Sequence, residues 1–208
     1  YDALGKYSDK VHHVLTRHEQ GATHMADGYA RSSGKVGVAM ATSGPGAANM
    51  VTGLATAMMD SIPIVCITGQ VPRLAIGSDA FQEMDISGAV IPVTKHSYLV
   101  MEIENLAKTI KEAFTIARSG RPGPVLVDIP KDLQAEEFDF IYPEEPILLP
   151  GDNLAPSDID LQSLEQAASL IAESKRPVIL AGHGILLSGA SSEVIELSEK
   201  GNIPLSWT

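Results

Sequence analysis

Cysteine and aromatic side chains are scarce in this chain. A single thiol, Cys66, and an aromatic share of 5% over 208 residues are all it has. One cysteine excludes an internal disulfide framework. Cys66 lies inside the apolar run Ile62–Thr68, so it reads as an inert buried side chain rather than a nucleophile. Cations are also in short supply. Lys and Arg number 15 against 26 Asp and Glu, a net charge of −11, which argues against a nucleic-acid partner. A local pair such as Arg121 and Lys131 can still favour an anionic substrate. No apolar run reaches membrane-spanning length, and no stretch reads as a signal peptide. His18, His24, His96 and His183 form no spacing typical of a metal site, so no metal ligands are assigned.

The hydrophobic share is 44%, and with few aromatics the core must be aliphatic, as in parallel sheets covered by helices. Strand patterns at Val11–Leu15, Val36–Ala41, Ile62–Thr68 and Val125–Ile129 alternate with helical patterns near Thr23–Ala30, Asn49–Met59 and Glu104–Arg118. This predicts an α/β fold with a doubly wound, mostly parallel sheet. Residues 134–160 carry eight acids, no Lys or Arg, and prolines at 143, 146, 150 and 156. That composition predicts an extended linker. A second α/β unit then opens, with Ser157 as a candidate N-cap and Leu161, Leu164, Ala168 and Ile171 as a helical stripe. A strand over Val178–Ala181, a turn at Gly182-His183-Gly184, a helix near Ser192–Lys200 and a strand over Ile203–Trp207 follow. The expected domains are 1–133, a linker over 134–156, and the start of a second Rossmann-like domain over 157–208.

Two segments carry chemistry. Arg17-His18-Glu19-Gln20-Gly21-Ala22 sets one carboxylate between a strand pattern and a helix pattern, at the edge where open α/β sheets bind ligands. Read by itself, Glu19 is equally an acid favoured by the macrodipole of a first helical turn. Thr42-Ser43-Gly44-Pro45-Gly46-Ala47-Ala48-Asn49 is a glycine turn after a buried strand. It lacks the Gly-Lys-Ser/Thr ending of a phosphate loop and is not GxGxxG; it presents backbone closely to something.

The runs RHEQGATHMADGYAR (17–31), ATSGPGAAN (41–49), ITGQVPRLAIGSDAFQEMD (67–85) and SGRPGPVLVDIPKD (119–132) together resemble the large catalytic subunit of the acetolactate (acetohydroxyacid) synthases. The likeness spans the whole chain and is strongest up to Asp132. It implies a thiamine diphosphate enzyme that condenses two pyruvates, or pyruvate and 2-ketobutyrate, with loss of CO2, in branched-chain amino-acid biosynthesis. The first domain would be the pyrimidine-binding domain without its first strand, and the second a truncated FAD-type domain. The Mg²⁺ and diphosphate ligands would lie outside this segment, which alone would be inactive.

Residue by residue, the resemblance makes Glu19 the glutamate that hydrogen-bonds the pyrimidine nitrogen and favours its imino tautomer. Pro45 and Asn49 would lie near that ring. Phe81 and Gln82 would line the site mouth, and Pro72 and Lys131 the access channel where inhibitors of the family bind. Arg121 would lie near FAD, and Gly182 and Gly184 would approach it. Taken alone, Pro72 reads as a turn residue, Lys131 as a solvated charge and Phe81 as core. Phe81-Gln82-Glu83, where a flavin-independent catabolic relative has HQS, favours the biosynthetic type. A homodimer or tetramer, a small regulatory subunit and a cytoplasmic location (an organelle in eukaryotes) are further implications. Two other readings stand beside this one: another thiamine diphosphate carboligase or decarboxylase, and a non-catalytic α/β binding module.

Overall fold

The computed structural model describes residues 2–149 and 160–208. Its contacts divide into two units, Tyr1–Leu149 and Pro150–Thr208. The first runs α1 (Asp2–Lys6), α2 (Glu19–Ser33), β1 (Gly37–Ala41), α3 (Pro45–Ala48), α4 (Val51–Asp60), β2 (Ile64–Gln70), a 3₁₀ turn (Arg73–Ala75), α5 (Ile86–Ala89), β3 (His96–Leu99), α6 (Ile103–Arg118) and β4 (Val125–Pro130). The four strands form one sheet in the order β1-β2-β4-β3, and every pairing is parallel.

Alternation along the two central strands explains why helices cover both faces. Ile64, Cys66 and Leu126 point into one cluster with Ala26, Ala30, Met50, Leu54 and Ala57 from α2 and α4. Val65, Val125, Val127 and Ile129 point into the other, with Ala113 and Ala117 from α6. All six residues of β4 are buried, as a strand sandwiched between helix layers requires. Glycine permits the close approach of α2 to the sheet edge: a Cβ at Gly37 would lie 2.1 Å from the Ala26 carbonyl oxygen.

Several local expectations are corrected. Val11–Leu15 is not a strand, and Val14 and Leu15 are exposed. Its apolar pattern suits a strand, but among the described residues no neighbouring strand pairs with it, and an extended segment without a ladder is not a strand. The helix expected over Asn49–Met59 is α4, and a separate short helix, α3, precedes it where only a glycine turn was expected. A short parallel strand, β3, pairs beside β4 where no strand was expected. Helix α2 also begins earlier than its apolar spacing implies, at Glu19.

In the second unit, α7 (Leu161–Glu173) precedes β5 (Ile179–Ala181), α8 (Gly184–Ser188), α9 (Ser191–Gly201) and β6 (Leu205–Trp207). Strands β5 and β6 pair in parallel. The candidate cap Ser157 falls outside the described residues. Asp160 caps α7, its carboxylate accepting from the backbone N–H of Gln162 and of Ser163. The stripe Leu161, Leu164, Ala168 and Ile171 is exposed rather than packed into a core.

Candidate active site at the carboxyl edge of the sheet

Helix α2 runs with its N-terminus at the carboxyl edge of the sheet, and its anchoring to α4 fixes where Glu19 stands. His18, in extended backbone, caps the helix: its Nδ1 accepts from the Gln20 N–H at 3.2 Å. One turn on, the Thr23 hydroxyl donates to the Glu19 and Gln20 carbonyls. The Thr23 side chain nests against Gly53 of α4, where an added Cβ would lie 2.4 Å from it. At the far end, Arg31 pairs with Asp27 on its own helix and with Asp60 of α4 at 2.6 Å. These contacts leave α2 little freedom to slide.

Glu19 is half-buried. Its Oε2 accepts from Asn49 Nδ2 at 3.1 Å. Its own backbone N–H and the Asn49 amide hold the carboxyl below its ordinary range, with a smaller contribution from His18, while burial acts in the opposite sense. The ion pairs among the described residues do not involve it. Glu19 is therefore an anionic acceptor with Asn49 as its side-chain donor among the described residues and further acceptor capacity.

The glycine turn builds the floor beside it. Gly44 has φ 59° and ψ −118°, a conformation that favours glycine. A Cβ there would lie 2.5 Å from the Gln82 carbonyl oxygen, so the backbone of the 77–84 loop rests directly on Gly44. Two residues on, a Cβ at Gly46 would lie 2.8 Å from the Thr42 methyl and 3.5 Å from Glu19 Oε1. A side chain at Gly46 would clash with the Thr42 methyl and sit in contact with the carboxylate. Pro45 opens α3 and Asn49 closes it, which aims the Asn49 amide at Glu19.

The other expected residues divide by location. Gln82 sits at φ 59° on Gly44, and Phe81 beside it is 89% exposed rather than core. Pro72 precedes the 3₁₀ turn that follows β2. Lys131 follows β4, its backbone N–H donating to the Gln70 carbonyl at 2.9 Å, with its side chain exposed. All of these follow carboxyl ends of strands. Arg121 does not: it precedes β4, and its guanidinium donates to Ser61 Oγ at 2.6 Å and to the Met59 carbonyl at 3.0 Å. It closes the C-terminal end of α4 at the opposite edge of the sheet. Gly182 and Gly184 lie after β5 in the second unit, both exposed, and neither has positive φ.

Two groups at this edge escaped sequence reasoning. The Glu83 carboxylate accepts the backbone N–H of Gly77 and, at 2.8 Å, that of Ala80, which holds it below its ordinary range. Asp128 is buried in β4; it accepts from Thr68 Oγ1 at 2.7 Å and from Gln70 Nε2 at 2.9 Å. Burial pushes its carboxyl up to about 6 despite those two donors. A lone acid inside the apolar run Val125–Pro130 was the available signal.

The donor and acceptor set fits one part of a cofactor only. A carboxylate acceptor beside a glycine floor suits a flat ring that presents a protonated nitrogen. Among the described residues no group of three or more His, Cys, Asp or Glu could hold a metal ion.

Residues 1–89 match the family described as thiamine pyrophosphate enzyme, N-terminal TPP binding domain, and residues 164–208 match thiamine pyrophosphate enzyme, central domain. The chain is therefore a homologue of the thiamine pyrophosphate enzymes. Within that class its relatives are acetolactate synthases. It is 51% identical over 211 residues to an acetolactate synthase of Arthrospira platensis, covering all of this chain and 36% of that protein. It is 51% identical over 210 residues to a probable acetolactate synthase large subunit of Methanocaldococcus jannaschii, covering all of this chain and 35% of that one. The isozyme 1 large subunit of Escherichia coli is 49% identical over 208 residues, with all of this chain and 36% of that protein covered. The chain thus spans about a third of the length of these relatives. No helix among the described residues is long and apolar enough to cross a membrane.

Proposed function

We propose that this chain supplies the pyrimidine-facing wall of an acetolactate synthase active site, within a longer subunit that condenses two pyruvates, or pyruvate and 2-ketobutyrate. The single observation that carries the reading is Glu19: a half-buried carboxylate with Asn49 as its one side-chain donor, beside the glycine floor at a carboxyl sheet edge. Thiamine diphosphate, when bound, would supply an acidic thiazolium carbon and an electron sink for decarboxylation.

The chain's own residues have plain tasks in this reading. Glu19 accepts a hydrogen bond from a protonated ring nitrogen and stabilises the proton there, because its lowered proton affinity keeps it anionic at neutral pH. Asn49 orients the carboxylate by donating to Oε2. Gly44 and Gly46 keep side chains out of the ring's place. Pro45 stiffens the turn, and Gln82 and Phe81 wall the mouth. Pro72 and Lys131 flank the way in, with the Lys131 ammonium favouring a 2-keto acid carboxylate.

The Mg²⁺ and diphosphate ligands belong to other parts of the protein. FAD would bind the second unit, where Gly182 and Gly184 offer backbone after β5, and Arg121, at the sheet edge opposite Glu19, would lie near it. The domain limits 1–133 and 157–208 with a linker between, a homo-oligomer whose site forms between subunits, a small regulatory subunit and a cytoplasmic site of action complete the reading. The test is direct. The full-length subunit carrying this chain, given pyruvate, thiamine diphosphate, Mg²⁺ and FAD, forms acetolactate; production of acetaldehyde alone, or no consumption of pyruvate, would reject it.

A further inference from the structure

The 77–84 loop is strained where it meets the site. Gly77, Asp79 and Gln82 all have positive φ, at 85°, 55° and 59°, and two of the three are not glycine. Side chains rarely hold that conformation unless the surroundings enforce it. Two sets of hydrogen bonds do so here. Inside the loop, the Glu83 carboxylate accepts the N–H groups of Gly77 and Ala80. At its base, Gln70 Nε2 donates to the Met84 carbonyl at 2.7 Å. Gln70 is itself fixed: the same Nε2 donates to Asp128 Oδ2 at 2.9 Å, and its Oε1 accepts the Val71 N–H at 2.8 Å. Asp128 is held in turn by the Thr68 hydroxyl. Thr68, Gln70 and Asp128 are all buried, on two paired central strands. No buried side-chain polar atom among the described residues is left without a partner, so this network has no slack.

We propose that Gln70, locked by Asp128, and Glu83 are positioning residues that set the height of Gln82 over Gly44, and thereby shape the site mouth without touching substrate. The sheet fixes Asp128, Asp128 fixes Gln70, Gln70 fixes the Met84 carbonyl, and Glu83 closes the loop in front of it. The Gln82 backbone then lands on Gly44, two residues from the glycine that faces Glu19. Where the mouth admits a 2-keto acid, this inference rests on the acetolactate synthase reading; the ordering of the loop does not.

Two variants of the full-length subunit test it. Gln70→Met keeps the side-chain length and removes both donations. Glu83→Gln changes only a half-buried loop position and leaves one oxygen where two accepted, so it guards against a failure of Gln70→Met to fold. Each variant should speed amide hydrogen exchange across residues 77–84 by about tenfold, the effect of losing one such hydrogen bond. Exchange in Val125–Val127 of β4 should stay at the wild-type level in Glu83→Gln. In the activity arm, KM for pyruvate should rise about fivefold or more while kcat falls less than KM rises and thiamine diphosphate affinity holds, since Glu19 is untouched. Unchanged exchange in 77–84 for Glu83→Gln overturns the proposal, as does a loss confined to kcat. A wild-type subunit that makes no acetolactate, with loop exchange responding as stated, instead rejects the functional reading and leaves the positioning role standing.

Discussion

Asp128 should make the stability of the chain fall as pH rises through the weakly acidic range. Its carboxyl is buried, with a proton affinity moved from an ordinary 3.8 to about 6, chiefly by desolvation of the charged form. The two donors, Thr68 and Gln70, only partly offset that cost, and nearby Asp85 adds to it. A raised folded value means that the folded state binds more protons than the unfolded chain between about pH 4 and pH 6. Stability therefore declines across that window and levels off above it. At about 1.4 kcal/mol per pH unit of difference, the full effect is about 3 kcal/mol. Asp128→Asn removes the titration. It also turns one acceptor into a donor facing the Gln70 amide, a loss of about 1 kcal/mol that does not vary with pH. The assay is urea denaturation of wild type and Asp128→Asn from pH 4 to 7.5. The difference wild type minus variant should shrink by about 2–3 kcal/mol as pH rises. A difference constant across the range would show that burial does not govern this carboxyl and would refute the reasoning.

Three further outcomes follow from the packing and the site. Leu126→Ala removes a fully buried side chain between the helix layer and the sheet and should cost about 2–5 kcal/mol in urea denaturation. Gly44→Ala places a Cβ 2.5 Å from the Gln82 carbonyl at a positive φ; it should cost about 1–3 kcal/mol and accelerate amide exchange in 77–84, while exchange in β4 stays slow. Asn49→Ala removes the side-chain donor to Glu19 and should raise the pH at which its carboxyl titrates, read by carboxyl chemical shifts across an acid titration.

Much of the sheet was legible because burial on both faces writes a continuous apolar run. Ile62–Thr68 and Val125–Ile129 carry that signal, and β2 and β4 lie within two residues of it. Strand β3 was not legible: four residues, two of them exposed, with a His and a Ser, leave no periodic pattern. Val11–Leu15 failed for the opposite reason, since an apolar pattern says nothing about whether a neighbouring strand exists to pair with it. In the second unit the helical stripe of α7 was visible as a pattern, but its exposure was not. The site was legible only as parts. Glu19 and Asn49 are thirty residues apart and meet because α2 and α3 end at one edge of the sheet. Spacing also could not show that Arg121 reaches back sixty residues to Ser61, at the other edge. The Gln70–Asp128 contact, 58 residues apart, is of the same kind.

In the proposed function, Glu19 serves the cofactor ring rather than merely starting a helix. Steady-state acetolactate formation by the full-length subunit with Glu19→Gln, at saturating thiamine diphosphate and Mg²⁺, tests it most directly. In that variant kcat should fall about a thousandfold, the range for loss of a positioned acid–base group, in a protein whose melting temperature is unchanged. A kcat within a few-fold of wild type would contradict it and return Glu19 to the role of a helix-start acid.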